Sequence, residues 1–285
     1  MRVLVTGAVG QLGRDVVAVF RDDETAEVTA ADHAMVAVED RAAVDDLVGS
    51  MRPDIVIHAA ALTNVDLCEE DPGLADAVNA IGTGNVADAA ERAGAHLVYV
   101  STDYVFDGRG SRPYRESDAT NPVSVYGATK LAGEKACPDG ATIVRTSWVC
   151  GAHGANFVRT VVDLGRRPGE LRFVDDQRAS PTFTSDLAPA VAALAMDRRP
   201  GCFHVTNSGE ASRFELARET LAISGGDPER VLPITTGELK PARPAARPAY
   251  SVLDNSAFEA AGYRPLAPWR DGLTRLVAQL REEGE

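Results

Sequence analysis

The sequence predicts an α/β fold in which helices cover both faces of a doubly wound parallel sheet, followed by a smaller C-terminal lobe. Short β-branched runs alternate with helical patterns through the first half of the chain. One run, residues 54–60 (DIVIHAA), is almost continuously apolar, which is typical of a strand buried on both faces. A glycine-rich turn joins the first strand to the first helix. This alternation favours parallel strands joined by right-handed crossovers.

Each element of the first half has its own local signal. Residues 2–6 form a β-branched run that ends at a glycine, and residues 14–21 have helical periodicity. The helix predicted over residues 41–51 stops before Pro53, because proline lacks a backbone donor and restricts the residue before it. The strand at residues 97–100 ends on two hydroxyl side chains. We also predict strands at residues 27–31 and 141–145, and helices at residues 74–92 and 126–136.

The regular alternation loosens after about Trp148. We therefore predict a first domain over residues 1–148 and a smaller lobe over residues 149–285, with later segments returning to the first domain. Residues 240–248 (KPARPAARP) contain too much proline for regular structure. In the second half we predict helices at residues 156–164, 184–196, 213–223 and 269–282, and strands at residues 171–174 and 202–205.

Charge and composition narrow the class of partner and the compartment. The formal net charge of −13 disfavours binding to nucleic acid or to an anionic membrane, because both require clustered basic residues. No window approaches the roughly 20 apolar residues of a membrane helix, and the N-terminus enters a strand directly, unlike a signal peptide. Four scattered cysteines indicate reduced thiols. We expect a cytoplasmic protein, monomeric or homodimeric, without nucleic-acid or membrane partners.

Three glycines with the spacing G-x-x-G-x-x-G follow the first strand. Gly7, Gly10 and Gly13 allow the backbone to approach a pyrophosphate at a helix N-terminus, where free N–H groups favour negative charge. Asp32 ends the next predicted strand and can accept hydrogen bonds from ribose hydroxyls. The pattern therefore predicts a Rossmann-type dinucleotide site for NADPH or NADH. Asp32 favours NADH, whereas a donor such as His33 would accommodate the 2′-phosphate of NADPH.

A second group of residues suggests proton transfer. Tyr126 and Lys130 are four residues apart on a predicted helix, so their side chains share one face. We expect Lys130 to lower the pKa of Tyr126 and to bind the nicotinamide ribose, and Thr102 to donate to a carbonyl oxygen. Asn79, Ser101 and the alanines at residues 59–61 are expected near the carboxyl ends of the strands, where ligands bind in open α/β sheets.

These residues resemble those of the extended short-chain dehydrogenase/reductases. More narrowly, several strings resemble the dTDP-4-dehydrorhamnose reductase family and occur in order along most of the chain. They are residues 59–66 (AAALTNVD), 101–108 (STDYVFDG), 125–134 (VYGATKLAGE), 145–149 (RTSWV), Asn156-Phe157, Asp176-Gln177, 180–182 (SPT), and Arg247-Pro248 leading to Ser251 and Leu253-Asp254.

The resemblance implies an NAD(P)H-dependent oxidoreductase that reduces the 4-keto group of dTDP-6-deoxy-L-lyxo-4-hexulose to dTDP-L-rhamnose, with the first domain binding the dinucleotide and the lobe mainly the substrate. It implies that Tyr126, Lys130 and Thr102 are catalytic. By the same resemblance, cofactor contacts fall on Gly7, Gly10, Gln11, Leu12, Gly13, Asp32, Ala61, Leu62, Thr63, Tyr126 and Lys130, and substrate contacts on Thr102, Asp103, Tyr104 and Trp148. Arg247 is either a diphosphate partner or a solvated arginine of the proline-rich segment.

The chain also departs from the family's pattern. The D-[aliphatic]-x-D pattern that the family often has after the second strand appears here as Ala37-Val38-Glu39-Asp40, so one adenine contact of the family is not carried over. Some members form a metal-bridged dimer, and Asp15 matches one such position, but Ser185 occupies another, so we predict no structural metal. His58 lies on a buried strand, where a hydrogen-bonded core histidine is expected instead of a ligand. Cys150 stands where tyrosine is common, which indicates altered packing.

Other functions remain open at this stage. The same fold could serve a related dTDP-4-keto-6-deoxysugar reductase of antibiotic biosynthesis. It could also serve an epimerase or a dehydratase, although a dehydratase would require a further acidic residue beside Asp103-Tyr104. A different class is a non-catalytic, NADP-binding regulatory subunit. Because Thr102, Tyr126 and Lys130 are all present, the sequence favours an enzyme.

Overall fold

The structure, a computed structural model, describes residues 1–282, so the last three residues of the predicted lobe lie outside the described residues. All seven predicted strands are present, and residues 1–282 contain seven further short strands that the sequence did not predict. In chain order the strands are β1 Arg2–Thr6, β2 Glu27–Ala31, β3 Ile55–His58, β4 His96–Thr102, β5 Thr142–Thr146, β6 Val149–Cys150, β7 Leu171–Val174, β8 Arg178–Ala179, β9 Thr182–Phe183, β10 Gly201–His204, β11 Asn207–Ser208, β12 Ala211–Ser212, β13 Val231–Ile234 and β14 Leu266–Pro268.

The helices alternate with the strands through the first half of the chain and dominate the second half. They are α1 Gln11–Arg21, α2 Arg41–Met51, α3 Val65–Glu70, α4 Pro72–Asp76, α5 Gly82–Ala93, α6 Val125–Ala136, α7 Phe157–Gly165, α8 Thr184–Met196, α9 Arg213–Ile223, α10 Ser256–Ala260 and α11 Trp269–Glu282, with a π-helical turn at Ala77–Ile81 and 3₁₀ turns at Asp103–Val105, Pro228–Arg230 and Thr236–Glu238. No helix within residues 1–282 is long and apolar enough to cross a membrane.

Six parallel strands form the central sheet in the order β10-β5-β4-β3-β1-β2. Helices α1 and α8 pack on one face, and α2 and α5 pack on the other. The sheet is therefore the doubly wound α/β arrangement that the sequence predicts. The chain runs from β1 outward to β2 and then crosses to β3 on the other side of β1, so the strand order reverses there. Ligands of open α/β sheets bind at the carboxyl ends beside such a reversal.

Later segments return to this sheet, as expected. Strand β10 pairs with β5 through the register Gly201↔Thr142 to His204↔Arg145, and α8 contributes a row of buried apolar side chains to the same core as α1. The remaining helices α7, α9 and α11 pack around Trp269 and Leu216 in a separate cluster. Residues 240–248 contain no helix or strand, as their prolines predict. The functional division near Trp148 stays a prediction.

Besides α10 and the short strands that the sequence did not predict, two predicted elements differ from the structure. The helix expected over residues 74–92 is divided into α4, the π-helical turn Ala77–Ile81 and α5, and the unpredicted helix α3 precedes it. A π-helical turn holds one residue more than an α-helical turn, and periodicity alone does not reveal such an insertion. Strand β3 ends at His58, because residues 59–61 leave the sheet and line the cavity described next.

Candidate active site

A cavity of about 770 Å³ lies at the carboxyl ends of the sheet, between the sheet and the second half of the chain. The structure brings nearly all the predicted site residues to its wall. The cavity is lined by the predicted cofactor residues Gly7, Gly10, Gln11, Leu12, Gly13, Asp32, Ala61, Leu62, Thr63, Tyr126 and Lys130, and by the predicted substrate residues Thr102, Asp103, Tyr104 and Trp148. Arg247 is not part of this wall. The roles of these residues stay predictions.

The glycine turn between β1 and α1 fits a diphosphate. Gly7 has a φ of +68°, and a Cβ there would lie 2.6 Å from the backbone nitrogen of Ala60. A Cβ on Gly13 would lie 2.1 Å from the carbonyl oxygen of Gly7. Gly10 precedes α1 without a side-chain cap, so first-turn N–H groups of the helix are free for an anion. The turn is thus closed to larger side chains and open to phosphate oxygens.

One end of the cavity carries the acceptor expected for a ribose. Asp32 Oδ1 accepts from the backbone N–H of Met35 at 2.9 Å, and Oδ2 has no hydrogen bond to any described residue. Val36 and Val38 add buried apolar surface beside it. Glu39 also lines this end, and its Oε2 is buried without a partner among the described residues. Although the family's D-[aliphatic]-x-D pattern is not kept, a carboxylate is therefore present nearby.

Asn79 holds the loop after β3, whose residues Ala61, Leu62 and Thr63 form part of the cavity wall. Its Oδ1 accepts from Leu62 N at 2.8 Å, and its Nδ2 donates to Leu62 O at 3.1 Å and to Thr129 Oγ1 at 3.2 Å. The π-helical turn directs this fully buried amide at the loop. Asn79 consequently holds Leu62 against α6, at the carboxyl ends of the strands as predicted.

His58 is a hydrogen-bonded core residue, as the sequence predicts. Thr83 donates to Asn79 O at 2.7 Å, so its oxygen accepts from His58 Nε2 at 3.1 Å. His58 Nδ1 then accepts from Thr6 Oγ1 at 2.7 Å. Burial, followed by the charge of Lys130, lowers the pKa of His58 to about 3. The neutral ring satisfies both of its nitrogens within the protein.

Thr102 and Asp103 occupy the end of β4 and the turn after it. Thr102 Oγ1 accepts from Tyr104 N at 3.2 Å and donates to Asp103 Oδ1 at 3.1 Å. Ser251 Oγ donates to Asp103 Oδ2 at 2.5 Å. Burial raises the pKa of Asp103 to about 6, and the bonds from Ser251 and Thr102 oppose that rise. Ser251, which belongs to one of the strings that resemble the family but had no predicted role, thus contributes to the site.

Tyr126 and Lys130 lie on one face of α6, close to this turn. A Cβ on Gly127 would lie 2.2 Å from Tyr104 O, which shows how closely the helix approaches the turn. The rings of Tyr104 and Tyr126 meet edge to face, with centroids 5.5 Å apart. Lys130 is 3% exposed and donates through Nζ to Val100 O at 2.7 Å. The helix therefore places a phenol and an amine at the end of β4.

The pKa of Tyr126 contradicts one expectation from the sequence. Burial raises it above its ordinary value, a hydrogen bond with Thr102 opposes the rise, and the charge of Asp103 adds to it. We expected Lys130 to lower this pKa, but the Lys130 ammonium is held on Val100 O. Burial also lowers the pKa of Lys130 to about 7. At neutral pH Tyr126 is a protonated phenol, which is the form that donates a proton.

A buried ion pair joins α6 to the central sheet. Glu134 Oε1 accepts from Arg145 Nε at 2.9 Å and from Ser101 Oγ at 2.5 Å, and Glu134 Oε2 accepts from Arg145 Nη2 at 2.7 Å. Both charged side chains are less than a tenth exposed. Glu134 follows Lys130 by four residues on the same helix face, but no local spacing marks its partner Arg145 on β5. It ties α6 to the ends of β4 and β5.

The far end of the cavity carries an arginine that sequence reasoning missed. Trp148 has a φ of +45°, an uncommon backbone conformation for a bulky residue. The guanidinium of Arg213, the first residue of α9, lies 3.6 Å from the centroid of the Trp148 ring. Arg213 lines the cavity beside Tyr104 and Asp103. Thr146, whose Oγ1 is buried without a partner among the described residues, lines it as well.

Arg247, one reading of which is a diphosphate partner, lies beside Tyr104 just outside the cavity wall and is paired with a carboxylate. Its Nη1 donates to Asp66 Oδ1 at 2.6 Å and to Ala245 O at 2.7 Å. Arg243 donates to the second oxygen of Asp66 at 3.2 Å. Arg247 therefore links the proline-rich segment to α3, and its charge is paired with a carboxylate.

The chain is similar to known proteins over nearly its whole length. Residues 1–282 match the family described as "RmlD substrate binding domain". A relative from Streptomyces griseus named dTDP-4-dehydrorhamnose reductase is 46% identical, over 96% of this chain and 92% of its own length. A relative from Streptomyces niveus named dTDP-4-keto-6-deoxy-D-glucose reductase is 41% identical, over 99% and 98% of the two chains.

A solved structure extends the likeness to three dimensions. The crystal structure of dTDP-4-dehydrorhamnose reductase from Bacillus anthracis in complex with NADP superposes with a TM-score of 0.91. It is 37% identical and covers 98% of this chain and 99% of its own. The match thus spans the sheet, the cavity and the second half of the chain. The chain belongs to the dTDP-4-dehydrorhamnose reductase family.

Proposed function

We propose that the protein reduces the 4-keto group of a dTDP-linked 6-deoxy sugar with NADPH or NADH as hydride donor, and that the product is dTDP-L-rhamnose. One observation carries the proposal: Thr102, Tyr126 and Lys130 lie together at one end of a cavity whose other end carries the glycine turn and Asp32. The family to which the chain belongs agrees with this reaction, since several relatives carry the reductase name.

The cofactor fits the residues on the cavity wall. The turn at Gly7–Gly13 would hold its diphosphate, Asp32 its adenosine ribose, and Lys130 its nicotinamide ribose. When bound, the cofactor supplies the hydride that reduces the carbonyl carbon. The second carboxylate oxygen of Asp32 is free to accept from a ribose hydroxyl of NADH, while the Bacillus anthracis relative was crystallised with NADP. Both cofactors therefore belong in the test.

Side chains of the protein supply the proton that the substrate oxygen takes up during reduction. Tyr126 donates its phenolic proton to the substrate oxygen, and its raised pKa keeps that proton in place until reduction begins. The Thr102 hydroxyl donates to Asp103 in the free protein, so it donates to the same substrate oxygen after turning away from Asp103. Lys130, whose pKa is near 7, supplies a positive charge once an anionic cofactor has entered. Trp148 and Tyr104 present flat apolar surface to the deoxysugar.

A second candidate is a reductase for a different dTDP-4-keto-6-deoxy sugar. The Streptomyces niveus relative, whose name specifies another dTDP-4-keto sugar, is nearly as similar as the Streptomyces griseus relative. The residues near the carbonyl would serve either substrate. A non-catalytic binding subunit is disfavoured because Thr102, Tyr126 and Lys130 all reach the cavity.

The decisive experiment supplies both cofactors and the keto sugar. The protein is mixed with NADPH or NADH, dTDP-4-keto-6-deoxyglucose and a 3,5-epimerase, and reduced-cofactor absorbance is followed. We expect absorbance to fall and mass spectrometry and chromatography to identify dTDP-L-rhamnose. Consumption without the epimerase, with a different product, would favour the second candidate. Unchanged absorbance under both conditions with folded protein would refute both reductase proposals.

We also propose a cytoplasmic monomer or homodimer that binds neither nucleic acid nor membranes. The net charge of −13 and the four free thiols support this. We propose further that residues 1–148 bind the dinucleotide and that residues 149–285 bind mainly the sugar nucleotide. Light scattering of the purified protein measures the oligomeric state, and fractionation of the source cells locates the protein.

A further inference from the structure

Arg213 stands out because its charge has no partner of opposite sign. Its guanidinium stacks on Trp148 and lies 4.9 Å from the centroid of Phe157, but it makes no hydrogen bond or ion pair with any residue in 1–282. Asp103 is the nearby carboxylate, and its two oxygens already accept from Thr102 and Ser251. Burial lowers the pKa of Arg213, so the site imposes a cost on this charge. An anion in the cavity would remove that cost.

The position of Arg213 does not serve helix stability either. It is the first residue of α9, an 11-residue helix, and a cation at a helix N-terminus opposes the helix dipole. The capping box of Ser212 and Glu215 already satisfies the backbone of that turn. Both the helix dipole and the unpaired guanidinium therefore favour a negative group at this point.

Among the described residues on the cavity wall, Arg213 is the only arginine. Lys130 also lines the wall, and its Nζ donates to Val100 O. Arg247, which the sequence suggested for this purpose, is paired with Asp66 outside the wall. A dTDP-sugar brings a diphosphate into a chain of net charge −13, so a local unpaired cation favours its binding.

We propose that Arg213 binds the diphosphate of the nucleotide sugar, a role that was one of two readings of Arg247 from the sequence. The inference rests on the proposed function and specifies how that site recognises its substrate. Stacking on Trp148 holds the guanidinium plane in place, so its donors are oriented before the ligand arrives. Because Trp148 also lines the cavity, a diphosphate bound to Arg213 would lie next to the wall proposed to contact the sugar.

The test compares ligands that differ only in phosphate. Binding of dTDP, dTMP and thymidine is measured by calorimetry for the wild type, Arg213→Met and Arg213→Lys. We expect Arg213→Met to weaken dTDP binding by about 10- to 100-fold, as the loss of charge-assisted hydrogen bonds predicts, and to leave thymidine and NADPH binding unchanged. Arg213→Lys should recover part of the loss, and added salt should weaken dTDP binding less in Arg213→Met than in the wild type.

Arg270→Met is the matched control. Arg270 stacks on Trp269 at 4.4 Å outside the cavity, so its replacement removes a comparable stacked arginine without touching the site. Equal losses for dTDP and thymidine in Arg213→Met would reduce Arg213 to a packing role and overturn the inference, as would unchanged dTDP binding. If wild-type protein binds dTDP and reduces the keto sugar while Arg213→Met binds dTDP equally well, only this inference fails. If the wild type does neither, the proposed function fails.

Discussion

The hydroxyl of Ser251 donates a 2.5 Å hydrogen bond to Oδ2 of Asp103, although 148 residues separate the two in the chain. Asp103 uses its other oxygen to accept the hydroxyl of Thr102. A residue of the C-terminal segment therefore sets the state of a carboxylate that orients a group proposed for catalysis. This relationship leads to a pH-dependent prediction.

Replacing Ser251 by alanine should shift the acid side of the pH profile of kcat/KM to higher pH. Burial raises the pKa of Asp103 to about 6 against the opposing bond from Ser251, so loss of that bond raises the pKa further. Because only the ionised carboxylate accepts from both Thr102 and Ser251 and so holds the Thr102 side chain beside the cavity, kcat/KM should fall as the pH decreases through about 6 in the wild type. The fall should begin at higher pH in Ser251→Ala. Rate profiles across pH measure this, with Ser50→Ala, an exposed serine of α2, as control. Superimposable profiles would contradict it.

Replacing Tyr126 by phenylalanine should remove the proton donor and leave the cavity intact. General acids contribute about 10²- to 10⁴-fold to a rate, so we expect kcat to fall by about that factor. NADPH affinity, measured by fluorescence titration, should not change. Tyr263→Phe removes a phenol that donates to Asp197 away from the cavity, and it should turn over like the wild type. Normal turnover by Tyr126→Phe would show that another group donates the proton.

Cofactor binding should be accompanied by proton uptake at Lys130. Its pKa in the free protein is about 7, so at about pH 8 most of the amines are neutral. An anionic cofactor favours the ammonium and raises this pKa, and the amine then takes a proton from solution. Calorimetry in buffers of different ionisation enthalpy measures the uptake. We expect it to disappear in Lys130→Met and to persist in Lys135→Met, whose lysine is exposed at the end of α6. Binding by the wild type without uptake would exclude this coupling.

The Glu134–Arg145 pair should matter more for stability than an exposed pair. Glu134→Gln leaves a buried arginine without its counter-charge, and breaking such pairs costs about 3–5 kcal/mol. Asp88→Asn breaks the exposed pair with Arg41, where the side chains are 49% and 57% exposed, and should cost about 0–1 kcal/mol. Urea unfolding measures both free energies. Equal losses of unfolding free energy in the two variants would show that the buried pair contributes no more to stability than the exposed pair.

The parts of the molecule that could be predicted are those whose signal is local. Glycine spacing, the apolar run of β3, and the four-residue separation of Tyr126 and Lys130 each reflect a geometry fixed within a few residues. They placed the cofactor turn and the reactive group at the same edge of the sheet. A parallel α/β sheet turns such local signals into a shared site, because all its strand ends meet at one edge.

The missed features depend on contacts between distant parts of the chain. Arg247 has its partner Asp66 181 residues away, so its pairing could not be seen in the proline-rich sequence around it. Arg213 reaches Trp148 only because α9 docks against the cavity. The pKa of Tyr126 was misjudged because burial and the position of the Lys130 amine are properties of the packed structure.

The π-helical turn at Ala77–Ile81 makes the site sensitive to chain length as well as to composition. Each residue of a helix advances the next by about 100°, so deleting one residue from the turn would regularise the helix and rotate Asn79 away from Leu62. Helices α4 and α5 would remain as helical as before. The loop of Ala61, Leu62 and Thr63 would nevertheless lose its anchor. An apparently surplus residue, inserted where a straight helix would suffice, thus acts as the spacer that aligns one wall of the cofactor cavity.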